Sequence, residues 1–242
     1  MGFFQAGGQV YNQASAEEVE IDKINGKTYR PTVNGRMSLR EAQLWSLLLF
    51  ATTLFMSIAL FTIYNYYMAL LMIFFAVFYT ARPLRVKRFF ILNNLWQAIA
   101  RGFFPAVFVA LMYPTTMGIA IAFGLFFSAW VMGAQTTKDF GDVYGDKKFG
   151  IKTFPVVVGW RVSVGIMTFL FLYAFFLLNW LTMRLYLPPY FVWLNVLSIP
   201  SGLMLYFLWK GTKVGFAENN LAWVLFYATL ASFYLLPAIL VA

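Results

Sequence analysis

Residues 38–81 read SLREAQLWSLLLFATTLFMSIALFTIYNYYMALLMIFFAVFYTA, and after Glu41 no charged side chain appears until Arg82. A helix that crosses the hydrocarbon of a bilayer needs about 20 apolar residues, so this stretch is too long for one crossing and long enough for two. Ser38 and Glu41 have capping-box spacing, in which the serine hydroxyl accepts from the helix's free amides and the glutamate reaches back. The first helix is expected to start there and run to about Tyr64. A tight turn around Asn65 then leads into a short second helix ending near Ala81.

Five more uncharged or nearly uncharged runs follow, at 89–113, 117–134, 162–183, 191–209 and 221–241. A segment in lipid must satisfy its own backbone, so the fold class is all-α: a polytopic transmembrane helical bundle of about seven spans, forming a single domain over 1–242. The composition agrees. At 62% hydrophobic, 21% aromatic and 11% charged, the 242 residues carry more apolar surface than a soluble domain of that size can bury. The bilayer is the expected partner. The net charge of +9 does not indicate nucleic acid, because the basic residues sit in short segments between apolar runs. There is no Cys and no His, which excludes disulfides, thiolate or imidazole metal sites, cysteine nucleophiles and histidine bases. The opening MGFFQAGGQV has no basic stretch before an apolar core and Ala at position 6, so neither a signal peptide nor a myristoylation site is expected.

Threading the seven spans alternately puts 1–41, 82–88, 135–161 and 210–219 on one side. That side holds every Lys and Arg except Arg101, inside a span, and Arg184. The positive-inside rule makes it cytoplasmic. All the acidic residues lie there too, and apart from Glu218 they fall in two groups: Glu17, Glu18, Glu20, Asp22 and Glu41, and Asp139, Asp142 and Asp146. The last three, spaced by three and four, would share one face of a helical extension, and so would Glu18 and Asp22. Stacked like charges are costly without a cation. All-oxygen ligands point to Mg2+ or another hard divalent ion, with Glu18, Asp22, Asp139, Asp142 and Asp146 as candidate ligands. The alternative is two solvated acidic loops paired with neighbouring lysines. In the third span Asn94, Gln97 and Arg101 form a polar stripe, expected to face a cavity and position an acceptor or an anionic ligand, or else to bond between helices.

The stretch from Asn12 through Glu18, Asp22 and Asn25, followed by Tyr29, Arg30, Pro31 and Gly35, resembles the first aspartate-rich loop (12–36) of the UbiA superfamily of intramembrane prenyltransferases, with two residues inserted and Glu18 replacing the first aspartate. The segment Lys138-Asp139-Phe-Gly-Asp142-Val-Tyr-Gly145-Asp146, continuing to Gly150, Thr153 and Pro155, is similar to the second motif (loop 135–161). Tyr79 and the segment holding Arg85, Lys87 and Arg88 resemble a loop that contacts diphosphate. The resemblance implies transfer of an isoprenyl group from an isoprenyl diphosphate to a lipophilic acceptor, an aromatic quinone precursor or a prenylglycerol phosphate, through Mg2+-assisted ionisation. Asp22, Asp139, Asp142 and Asp146 would be catalytic, and Asn12, Lys23, Arg30, Tyr79, Arg85, Lys87, Lys138 and Lys152 would bind the diphosphate. It also implies nine spans with the first acidic loop after the second, so residues 1–10 are expected to be only the end of an eighth span in this chain. A polytopic transporter and a non-catalytic shortened remnant are the competing readings. The former expects its carboxylates at mid-membrane rather than in loops on one face.

Overall fold

The computed structural model describes residues 2–112, 116–210 and 220–241, with side chains as far as 236; Glu218 and the expected 211–219 connection lie outside the described residues. The described elements are all helical. Helix α1 (Gly2–Tyr11) packs against the helix that begins at Leu39, and α2 (Ala16–Ile24) follows, its first turn capped by the Ser15 hydroxyl, which accepts from the Glu18 amide at 3.2 Å.

The two helices read from residues 38–81 are α3 (Leu39–Leu60) and α4 (Ile63–Thr80). Ser38 and Glu41 form the capping box of α3 as expected. The break comes earlier than expected, at Phe61–Thr62, and Asn65 is not in the turn. It is the third residue of α4, where it closes a second capping box with Thr62. Its amide also donates to the Phe108 carbonyl at 2.7 Å, so a fully buried Asn serves as both cap and interhelical clamp.

The expected third span, 89–113, is not one α-helix. After a 3-10 turn at Val86–Arg88 come α5 (Leu92–Ala98), a π-turn (Ile99–Phe103) and α6 (Phe104–Ala110). Pro105 has no N–H to offer the Arg101 carbonyl four residues back. That carbonyl instead accepts from the Tyr234 hydroxyl at 2.6 Å. The next helix, α7 (Met117–Ala134), matches its expected span and runs on into α8 (Thr136–Asp139). The second acidic loop is therefore largely helical, with α9 (Val143–Lys148) inside it. It closes at the start of α10 (Phe154–Met183), which begins before the expected residue 162 and is kinked at Gly159 (φ 77°). A 3-10 stretch (Pro189–Leu197) leads into α11 (Ser198–Lys210), and α12 (Leu221–Val241) completes the bundle.

Helix α7 touches α5, α6, the π-turn and α10. Trp130 of α7 is fully buried between the parallel rings of Phe171 and Phe226, and its indole N–H donates to Ser201 Oγ at 2.9 Å. The core thus ties α7, α10, α11 and α12 together around a satisfied tryptophan. The outer faces are apolar: Leu47, Phe55, Phe169, Leu172 and Phe176 are each roughly two-thirds exposed. Among the described residues five helical stretches are long and apolar enough to cross a membrane: Leu39–Leu60, Ile63–Thr80, Met117–Asp139, Phe154–Met183 and Pro189–Lys210. Leu221–Leu236 forms a shorter apolar helix. The protein is an integral, multi-pass membrane protein.

The π-turn is held against α7 at Gly102, where a Cβ would come within 2.6 Å of the Ser128 Cα. Backbone, not a flexible side chain, blocks that space. Gly102→Ala is expected to destabilise the protein by about 1–3 kcal/mol through overpacking, read as a lower thermal midpoint in detergent.

Candidate functional site

The two acidic loops meet. Asn25, at the end of α2, accepts the Gly145 N–H at 2.7 Å through its side-chain oxygen and donates to Asp142 Oδ1 at 3.3 Å. Close approach requires glycine here, since a Cβ on residue 145 would lie 2.8 Å from the Ile21 carbonyl and 2.6 Å from the Asn25 amide. Lys27, only 4% exposed, completes the junction. Its ammonium pairs with Asp142 in the second loop and lies 3.9 Å from Asp22 in the first. Arg30 holds the other oxygen of Asp22 at 2.6 Å.

A third segment, between α4 and α5, joins this network. Arg85 pairs with Glu17 and lies 3.6 Å from Glu18, while Lys87 pairs with Glu18. Arg85 takes a left-handed conformation (φ 41°) that is unfavourable for a side chain with a Cβ, and its buried ion pairs fix it there. The expectation of solvated carboxylates paired with lysines is thus half met: the pairs exist, but Asp22, Arg85 and Lys87 are buried.

These segments enclose a polar cavity of about 390 Å³. Its lining residues come from the ends of their helices: Asn12 just beyond α1, Tyr79 and Thr80 on α4, Lys138 and Asp139 on α8, Thr153 before α10, Trp223 and Tyr227 on α12. Of the residues singled out in the sequence, Asn12, Glu18, Asp22, Arg30, Tyr79, Lys87, Arg101, Lys138, Asp139, Asp142 and Asp146 all line it. Lys138 lies 5.5 Å above the Tyr79 ring, a cation–π contact. The three aspartates of the second loop do not share one helix. Asp139 ends α8, Asp142 precedes α9 and Asp146 lies within it, and the chain's turn between the two helices brings all three to one cavity.

Other expected residues lie elsewhere. Lys23 is solvent-facing and pairs with Glu20 at 2.8 Å, Lys152 is exposed, and Arg85 sits behind the cavity wall on Glu17. The polar stripe of the third span divides. Asn94 donates to Thr136 Oγ1 at 2.9 Å and to the Met132 carbonyl at 3.1 Å, an interhelical clamp. Gln97 lines a small side cavity with Arg101, and the π-turn carries Arg101 into the main one. Among the cavity's residues, Gln9, Gln13, Trp223 and Tyr227 carry no signal in the sequence, Thr153 is read there only as part of the second motif, and Lys27 only as one of the cations around the carboxylates. Lys27 is one of two lysines in its loop, and burial distinguishes it from Lys23.

Among the described residues no three carboxylates converge closely enough to hold a metal ion by themselves. Two of the carboxylates are nonetheless held in surroundings that disfavour their negative charge. Burial raises the Asp146 carboxyl well above the usual carboxylate range, and the neighbouring charges of Asp142 and Asp139 raise it further. Burial raises Asp22 too, against the pull of Arg30 and Lys27.

The model of the UbiA prenyltransferase family matches residues 1–230. A digeranylgeranylglyceryl phosphate synthase of Sulfurisphaera tokodaii is 29% identical over 80% of this chain and 65% of its own length. The chloroplastic homogentisate solanesyltransferase of Arabidopsis thaliana is 28% identical over 87% of this chain and 58% of its own. The chain therefore spans between about half and two-thirds of the length of these curated relatives. Among solved structures, the apo UbiA homolog from Aeropyrum pernix K1 superposes with a TM-score of 0.74 at 21% identity, covering 98% of this chain and 86% of that one. The homolog from Archaeoglobus fulgidus bound to DMAPP and Mg2+ gives 0.65 at 17% identity, covering 98% and 84%. The chain belongs to the UbiA prenyltransferase family.

Proposed function

We propose that this protein transfers an isoprenyl group from an isoprenyl diphosphate to a lipophilic acceptor, with Mg2+ as cofactor and the site on the cytoplasmic face. The observation that carries the reading is one cavity, at one end of a bundle in lipid, lined by Glu18, Asp22, Asp139, Asp142 and Asp146 together with Lys27, Arg30, Lys87, Lys138 and Arg101. Carboxylates and cations alternating around one space suit a ligand that is both anionic and metal-bearing. Family relatives carry names for reactions of this kind: a prenylglycerol phosphate synthase, a homogentisate prenyltransferase and a bacteriochlorophyll synthase.

The donor set fits Mg2+. It is all oxygen, and Mg2+ commonly takes one or two carboxylates and completes its shell with water and substrate phosphate rather than an all-protein cage. When bound it would neutralise negative charge on the departing diphosphate. The chain's own cations act on the same charge. Lys27, Lys87, Lys138 and Arg101 line the same cavity, so they stabilise the diphosphate as the allylic C–O bond breaks and its electron pair leaves with oxygen. Asn12 and Tyr79 add polar contacts at the cavity wall. The carbocation is then captured by the acceptor nucleophile, which releases a proton, and the apolar bundle keeps competing water away. The cytoplasmic assignment is supported by the cluster of basic residues on the cavity's side.

Asp142→Ala and Asp146→Ala are each expected to lower Mg2+-dependent diphosphate release from geranylgeranyl diphosphate with an acceptor by roughly 100-fold or more. Release undiminished in both variants would overturn the enzyme reading. Asp146 also predicts a pH dependence. Its folded-state pKa is raised, so the folded form binds that proton more tightly than the unfolded chain, and stability falls as pH rises through and beyond the ordinary carboxylate range. Metal-free Asp146→Asn should therefore melt higher than the parent at about pH 8, with the gap narrowing towards about pH 4. Mg2+ added together with pyrophosphate should raise the parent's midpoint more than the variant's.

A further inference from the structure

Two cations that the proposed reaction does not use stand side by side on the outer surface. Arg88 ends the 3-10 turn before α5, and Lys152 directly precedes Thr153 at the start of α10. The Lys152 amide donates to the Arg88 carbonyl at 3.3 Å, and two residues further along each segment the rings of Phe90 and Phe154 meet edge to face, 5.1 Å between centroids. Both charged side chains are exposed, and among the described residues neither has an ion pair or a side-chain hydrogen bond. Lys27, Arg30, Arg85 and Lys87, by contrast, are each matched to a carboxylate. The immediate neighbours Lys87 and Thr153 line the cavity, whereas Arg88 and Lys152 do not and face outward.

Two cations held together without a carboxylate repel each other, and an anion between them relieves the repulsion. The surrounding surface decides which anion fits. Phe89, Ile91, Leu92 and Val157, near the pair along both segments, are between 42% and 48% exposed, and Leu95 extends the same apolar surface along α5. The Arg88 guanidinium lies 5.9 Å from the centroid of the Phe89 ring. In a multi-pass membrane protein, exposed apolar side chains meet acyl chains, and cations at their edge stand at the level of the headgroups. A free phosphate would use the cations alone, and a zwitterionic lipid would bring a further positive charge to them. An anionic phospholipid matches both halves of the surface. We propose that Arg88 and Lys152 clamp the headgroup phosphate of an anionic phospholipid whose acyl chains lie along Ile91, Leu92 and Val157. The bound lipid fastens the connection between α4 and α5 to the start of α10.

The test compares thermal midpoints of the detergent-solubilised full chain with added phosphatidylglycerol, with phosphatidylcholine and with inorganic phosphate, and measures retained lipid by native mass spectrometry. Phosphatidylglycerol should raise the parent's midpoint and stay bound, and the other two should do less. Arg88→Gln and Lys152→Gln should each weaken phosphatidylglycerol binding by roughly fivefold, and the double variant by more than about tenfold. Arg161→Gln, which removes an exposed charge elsewhere on α10, should bind like the parent. Without lipid, the double variant should melt at or above the parent's midpoint, because two unpaired like charges are gone. A lower midpoint would show that the cations hold the fold through contacts of their own and would overturn the proposal. Parent-like phosphatidylglycerol binding by the double variant would overturn it too, as would an equal loss in Arg161→Gln or equal stabilisation of the parent by phosphatidylcholine. Equal stabilisation by inorganic phosphate would assign the pair to free anions and remove the lipid. The isoprenyl-transfer reading needs neither residue and stands or falls separately.

Discussion

The buried ammonium of Lys27 between Asp22 and Asp142 is the interaction on which the arrangement of the site depends. Two acidic segments more than a hundred residues apart in sequence meet at the lipid end of a bundle, where bringing carboxylates together is unfavourable twice over, by desolvation and by mutual repulsion. Removing one partner of such a buried pair typically costs about 3–5 kcal/mol, because the other charge is left stranded. Lys27 offsets the repulsion at the point of contact, Asn25 adds two hydrogen bonds beside it, and Gly145 leaves the room in which they form. Arg85 and Lys87 do the same for Glu17 and Glu18, and so tie the connection between α4 and α5 to the first loop.

The transmembrane helices supply what the loops cannot, a fixed distance between their ends. The α7 core, with Trp130 clamped between Phe171 and Phe226, sets where Lys138 and Asp139 emerge. Against α7, the π-turn at Ile99–Phe103 adds one residue to a helical turn and carries the Arg101 side chain into the cavity. Its backbone is not left short of partners, since Tyr234 of α12 donates to the carbonyl that Pro105 cannot serve. The backbone around the charge is thus tied to α7 and α12, and Arg101 itself lines the polar cavity, which explains how an arginine is tolerated inside the apolar sequence.

Much of this was legible because lipid imposes a coarse rule: uncharged runs of spanning length become helices, and the runs at 117–134 and 221–241 did so within a residue or two of expectation. What failed did so for local reasons. Asn65 reads as a break in an apolar run, but a polar residue three positions after Thr62 is also a cap, and the cap prevailed. The run at 89–113 has the length of a span, yet period alone does not reveal a π-turn at which Gly102 packs against Ser128 of α7 and the Arg101 carbonyl accepts from Tyr234 in place of the N–H that Pro105 lacks. In the site, the spacing of Asp139, Asp142 and Asp146 suggested a single helical face. The chain reaches the same convergence through a turn between α8 and α9. Charge type was readable and burial was not, which is why, of the two lysines in the first loop, exposed Lys23 was assigned to the diphosphate and buried Lys27 was not.

The ion pairs also bear on how such a site stays folded before a ligand arrives. Each carboxylate of the first loop that faces the cavity is matched by a lysine or arginine of the same chain, and those cations line the space an anionic ligand would enter. A ligand carrying both phosphate and a divalent cation can therefore enter by exchange: the side-chain cations turn to phosphate oxygen while the carboxylates turn to the metal, and net charge in the cavity changes little. Metal alone would displace the lysines without giving them a new partner, and phosphate alone would strand the carboxylates. The paired arrangement thus favours joint entry over either component by itself. That preference follows from burial, since the same ion pairs in water would be too weak to impose it.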